Sequence, residues 1–197
     1  MAALSDKQKR TLLEVARKVV EQAVRGRGIS DFECDDPIFR EKRGCFVTLH
    51  NHGELRGCIG RFDPDEPLLQ VLRDMAVAAT RDSRFRCNPV SAAELKEIDL
   101  EISVLSALER VGDPLSLELG VHGIYVKRGW ASGCFLPQVA AETGWNKEEF
   151  LSYCCAHKAG LPPDAWKDPK TEVYLFTAEV FGEKELAARH GHDGGIA

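Results

Sequence analysis

Two periods alternate along the chain. Leu12, Val15, Ala16, Val19, Val20 and Ala23 recur at helical spacing, with Ser5 as an N-cap and Gly26 or Gly28 as a stop, which predicts a helix over residues 5–28. Residues 29–44 carry no period and read as a loop. Residues 44–50 and 54–60 are apolar segments around Asn51-His52-Gly53, the pattern of a β-hairpin. A second helix is predicted within residues 63–83, started by Pro67, with Leu68, Val71, Leu72, Met75 and Ala79 on one face. Residues 84–95 form a turn-rich connector. Alternation over residues 97–106 puts Ile98, Leu100, Ile102 and Val104 on one face and Asp99, Glu101 and Ser103 on the other, as in a half-buried strand. Residues 121–137 read as a second hairpin. Residues 137–144 and 146–160 read as helices, the latter capped by Asn146 with Glu149 three positions on. Residues 171–183 read as one final strand. From Leu186 to Ala197 no apolar pattern is left, so residues 187–197 are expected to be a frayed tail after a single domain over residues 5–186. Strands come as hairpins and isolated runs, not in β-α-β alternation. The expected class is α+β, an antiparallel sheet with flanking helices.

Composition narrows the classes of function. The chain has 197 residues, enough for one large domain or two small lobes with a real core. Its net charge of -5 argues against a general nucleic-acid surface. Arg81, Arg84 and Arg86 around Phe85, and Lys127 and Arg128 beside Trp130, are the local exceptions. Nucleic acid is not an expected partner. No run of about 18 apolar residues is present, so no membrane span is expected. The first residues lack the apolar core of a signal peptide. Seven cysteines, an odd number without a C-x-x-C pair, fit free thiols in a reducing, cytoplasmic compartment.

The stretch ELRGCIGRF at residues 54–62 holds the candidate chemistry. Gly57 and Gly60 are poor strand residues and mark the close approach of another backbone or a ligand. Without side chains they also let backbone N–H groups reach an acceptor. Arg56 and Cys58, two apart, share a face of a regular strand. A guanidinium beside a thiol favours the thiolate, the reactive form, so Cys58 is the candidate catalytic residue. The competing reading is a small thiol buried in a tight sheet. Arg56 suits a carboxylate or phosphate ligand, or else a structural pair with Glu101 or Glu94. With His52-Gly53 as the turn, a regular register sets Cys58 opposite Val47 and Arg56 opposite Leu49, with Cys45 near Gly60 and His50 on the other face. That register separates His50 from both cysteines and leaves His52 at the tip, so no metal site is expected. His190 and His192 lie in the tail. No cofactor is expected either.

The segments together resemble the AMMECR1 family, whose prokaryotic members are called AmmA or AmmeMemoRadiSam system protein A. Four stretches carry the likeness, in order: LRGCIG; AATRDSRFRCNPVSAAELKEIDLEISVLS; GVHGIYVKRG with LPQVAAETGWNKEEFLSYCCAHKAGL; and VYLFTAEVFGE. The likeness covers roughly residues 10–184. The resemblance implies a larger lobe holding both termini and a smaller one, with a cavity between them. It also implies partnership with a Memo-type protein and a radical SAM protein, but no particular reaction. Two classes of function remain open. One is a ligand-binding or enzymatic component with its site at Arg56, Gly57, Cys58 and Gly60. The other is a non-catalytic adaptor that presents the same surface to a partner.

Overall fold

The computed structural model describes residues 3–32, 34–62 and 65–190. The chain divides into two compact units, Met1–Val104 with Glu179–Ala197, and Leu105–Ala178.

The first unit opens with α1 (Asp6–Val24), fixed at its start by a capping box between Ser5 and Gln8. Strands β1 (Cys45–Asn51) and β2 (Glu54–Arg61) form the expected hairpin. His52 and Gly53 both have positive φ at its turn, as a type I′ turn requires. Helix α2 (Leu68–Ala79) and strand β3 (Ile98–Leu105) follow. The core holds Leu12, Ala16, Val19 and Val20 of α1, Leu68, Leu72, Ala76 and Ala79 of α2, and Val47, Leu49, Leu100, Ile102 and Val104 of the strands. The helical and alternating stripes of the sequence thus meet in one apolar layer. The β3 residues Asp99, Glu101 and Ser103 lie on the opposite face of the sheet.

The second unit holds β4 (Glu109–Arg110), β5 (Gly123–Arg128), β6 (Ala131–Phe135), α3 (Pro137–Thr143), α4 (Lys147–Tyr153) and β7 (Glu172–Phe176). The capping box of Asn146 and Glu149 starts α4 as expected. The predicted helix over residues 146–160 does not stay α-helical, however. It widens into a π-helical turn over Cys154–Ala159 and ends at Gly160, which is left-handed at φ 66°. Cys154 and Cys155 are fully buried there.

Two four-stranded sheets result, in the orders β2-β1-β3-β8 and β4-β7-β5-β6, where β8 is Ala178–Gly182. The final strand expected over residues 171–183 is therefore two strands, one in each sheet. The break falls at Thr177, whose amide donates to Ser106 Oγ and whose carbonyl accepts the Ser106 amide, both at 2.9 Å. The first residues expected in the tail, 187–190, are helical instead. A helix α5 (Glu183–His190) follows β8, with Leu186 buried. Residues 191–197, His192 among them, lie outside the described residues.

Candidate functional site

The register of the β1–β2 hairpin decides where its thiol points. Asn51 faces Glu54 and His50 faces Leu55, but beyond that Leu49 faces Gly57 and Thr48 faces Cys58. One extra residue, Arg56, has entered β2, and this is a β-bulge. The regular register expected from the turn is thus corrected by one position. Cys58 stands opposite Thr48 rather than Val47. His50, two along from Thr48, now shares the side of Cys58, while Cys45 shares the buried side of Val47 and Leu49. Burial pushes the Cys45 thiol up to about 12.

Contacts made by Gly57 and Arg56 hold the bulge. A Cβ on Gly57 would lie 2.2 Å from the Ala79 carbonyl oxygen at the end of α2, so only glycine lets β2 lie this close to the helix. Arg56, released from strand pairing, turns to Glu94. Its Nε donates to Glu94 Oε1 at 3.0 Å and its Nη2 to Glu94 Oε2 at 3.3 Å and the Asn88 carbonyl at 3.1 Å. The Arg56 guanidinium also lies 5.6 Å from the Phe85 ring centre. Of the two partners read from the sequence, Glu94 is the one used. Arg56 holds the Glu94 carboxyl down at about 2, chiefly through these hydrogen bonds.

β2 is an edge strand, and its open side is closed by side chains rather than by another strand. The Cys58 amide donates to Asp82 Oδ2 at 3.0 Å, and Arg84 Nη2 donates to the Cys58 carbonyl at 3.1 Å. Asp82 and Arg84 are themselves paired, Nη2 to Oδ2 at 2.6 Å, and Asp82 also caps the short 3-10 turn Ser83–Phe85 by accepting the Arg84 amide. Asp82 is almost fully buried, and the Arg84 bonds hold its carboxyl down at about 2. Arg84 is held more firmly cationic, mainly by Asp82, with the Cys58 thiol a smaller contributor. Of the two arginines, Arg84 is the one that bonds to Cys58, at its carbonyl oxygen. Arg56 and Arg84 both lie over Phe85, at 5.6 and 5.8 Å.

On the face away from the helices, Cys58, Thr48 and Glu101 stand in one row across three strands. Thr48 Oγ1 donates to Cys58 Sγ at 3.3 Å. The neighbouring row is Gly60, Phe46 and Ser103. The Phe46 ring occupies the space a Gly60 side chain would need, within 2.2 Å of that Cβ position, and meets Phe62 edge-on at 4.8 Å. The result is a half-buried thiol with a hydroxyl on one side, an aromatic wall below it and a backbone fixed by an acid–guanidinium pair. A thiol so placed can contact a ligand or act as a nucleophile. Among the described residues no group of three His, Cys, Asp or Glu side chains is placed to hold a metal ion. No helix of the described residues is long and apolar enough to cross a membrane.

The sequence reading named Arg56, Gly57, Cys58 and Gly60 but did not attach Asp82, Arg84 or Thr48 to them. The Asp-Ser pair at residues 82–83 is an ordinary helix-cap signal and says nothing of a strand 24 residues away.

Comparison with known proteins gives a consistent picture. The family model described as AMMECR1 matches residues 13–181. A protein of Methanothermobacter thermautotrophicus is 47% identical over 190 residues, covering 92% of this chain and 97% of its own. Protein TK0174 of Thermococcus kodakarensis is 42% identical over 196 residues, covering 93% and 94%. The crystal structure of the uncharacterized protein PH0010 from Pyrococcus horikoshii superimposes with a TM-score of 0.82 at 38% identity, covering 93% of this chain and 95% of that one.

Proposed function

The chain belongs to the AMMECR1 family, and from that premise we propose that it is a ligand-binding or enzymatic component whose site is the polar face around Cys58. In this reading Cys58 is the group that meets the ligand, as a contact or as a thiolate nucleophile. Arg84 supplies the positive charge beside it. Arg56 anchors Phe85, and Gly57 and Gly60 let the strand carry its thiol against α2 and Phe46. A Memo-type protein and a radical SAM protein are the proposed partners.

The observation that carries the reading is the investment in one strand residue. The amide of Cys58 is bound by Asp82, its carbonyl by Arg84 and its thiol by Thr48. A residue needed only to fill space does not require all three. The adaptor alternative asks for a flat apolar patch around β2. Leu55 is the one large hydrophobic exposed there among the described residues.

The test is reconstitution with the Memo-type and radical SAM proteins of the same genome. Intact-mass analysis follows the thiols, and product analysis follows turnover. The reading expects Cys58→Ser to abolish any adduct or product while Cys87→Ser does not. Full function in Cys58→Ser, together with loss of complex formation in Leu55→Asp, would establish the adaptor instead.

A further inference from the structure

Residues 81–86, the turn that holds the edge of β2 at Cys58, carry three arginines against one acid, in a chain whose net charge is -5. The acid, Asp82, has both carboxylate oxygens on Arg84, so its charge is already matched. Arg81 and Arg86 are then in excess. Both are exposed, and neither side chain has an ion pair or hydrogen bond among the described residues. Arg84 is pinned through Nε and Nη2, to Asp82 and to the Cys58 carbonyl. Its Nη1 has no acceptor among the described residues, and the side chain is 54% exposed. The Cys58 thiol is among the groups that hold Arg84 cationic, through hydrogen bonding as well as charge. The neighbouring acids do not cancel this excess. Glu94 is taken up by Arg56. Glu101 stands two strands from Cys58, about 10 Å by strand spacing. A half-buried thiol thus has a locally positive rim on an acidic chain.

We propose that the ligand of the Cys58 site carries a small oxyanion, a carboxylate or a phosphate group, which Arg84, Arg81 and Arg86 hold beside the thiol. The proposal rests on Cys58 being the residue that meets the ligand, and it names the class of that ligand. Arg84 Nη1 donates to the oxyanion from a guanidinium that is already fixed, so little freedom is lost on binding. Arg81 and Arg86 supply charge from the rim. Two guanidinium groups already lie over the Phe85 ring, which competes with base stacking and favours a small anion over a nucleic-acid strand.

Iodoacetate and iodoacetamide are the probes, one anionic and one neutral. In both, the thiolate sulfur forms a bond to the methylene carbon, iodide leaves, and the thiol proton goes to solvent. The ratio of the two rates at Cys58, read by mass spectrometry on the full chain, therefore cancels thiolate fraction and reports the charge preference of the site. At about 10 mM ionic strength, where screening reaches only beyond about 30 Å, that ratio should exceed the ratio at the same sulfur in the urea-unfolded chain by about tenfold. Arg81→Gln and Arg86→Gln remove no bond of the fold, and each should lower the ratio by about threefold, the effect of one unit charge at about 7 Å through water. Acetate slowing the iodoacetate reaction more than inorganic phosphate does assigns a carboxylate, and the reverse order a phosphate. Ready labelling by iodoacetamide with the same ratio in folded and unfolded chain, unmoved by either variant, would overturn the anion and leave the thiol reading standing. A Cys58 that neither reagent labels in the folded chain would overturn both.

Discussion

The Cys58 amide donates to the Asp82 carboxylate at 3.0 Å, so a side chain occupies the place on the edge of β2 that another strand would take. Arg84 completes the mimicry by donating to the Cys58 carbonyl at 3.1 Å. An acid and a guanidinium thus present to the edge strand the acceptor and donor of a peptide group. The arrangement saturates the edge and fixes the backbone under the thiol.

Replacing Asp82 by alanine should therefore cost stability and local order together. It leaves the Cys58 amide without its acceptor and the half-exposed Arg84 without its carboxylate. A loss of about 2 kcal/mol is expected from one unsatisfied buried group and a broken charge-assisted pair. Urea unfolding measures the first effect, and amide hydrogen exchange at Cys58 the second. An unchanged exchange rate at Cys58 would show that the strand edge is held by something else.

Acid should weaken the same region. Asp82 and Glu94 both sit at about 2 in the folded chain, below their ordinary values of 3.8 and 4.5. Around pH 3 the unfolded chain thus binds more protons than the folded one, and stability rises with pH there. The two contributions are complete above about pH 4.5 and are lost as the pH falls toward 2. The urea midpoint is expected to drop across that window, with a shallower drop in Asp82→Asn and in Glu94→Gln. A pH dependence of the midpoint unchanged from the parent chain in both variants would contradict these assignments.

The two motif glycines should differ in their tolerance of alanine. At Gly57 the new methyl meets the Ala79 carbonyl oxygen, a backbone atom that cannot swing aside. At Gly60 it meets the Phe46 ring, which can shift. Gly57→Ala is expected to cost about 3 kcal/mol and Gly60→Ala about 1 kcal/mol, the range for overpacking. Thermal melts of the two variants side by side give the order, and equal melting points would refute it.

The thiols should label in an order set by burial and charge. Burial pushes Cys45 and Cys134 up to about 12 and raises Cys154 and Cys155 as well. Cys87 is exposed, and Cys34 and Cys58 are half-buried. In a limited iodoacetamide time course, Cys87 should react first and Cys58 at least about tenfold faster than Cys154 or Cys155. Arg84→Gln should slow Cys58, whereas Arg56→Gln should not. Slow labelling of Cys58 that neither variant alters would end the case for an activated thiol.

Local pattern alone determined much of this protein. The Ser5–Gln8 and Asn146–Glu149 capping boxes, the apolar stripes of α1 and α2, the alternation of β3 and the His52-Gly53 turn are all legible in the sequence. Each is set by contacts within a few residues or by the need to bury one face. The motif stretch 54–62 also marks itself, because its glycines are costly in a strand unless something lies close. What the tertiary structure decided is the side to which the motif turns its thiol. The bulge at Arg56 shifts the register by one and moves Cys58 from the expected side of Val47 to that of Thr48. No local pattern announces that shift. It is held by Ala79 packed on Gly57 and by Glu94, 38 residues away, pairing with Arg56. Thr177 likewise divides what reads as one continuous strand into β7 and β8, because its backbone bonds to Ser106, 71 residues earlier. A period of two survives any register, so alternation tells which residues share a face, while long-range contacts choose which face it is.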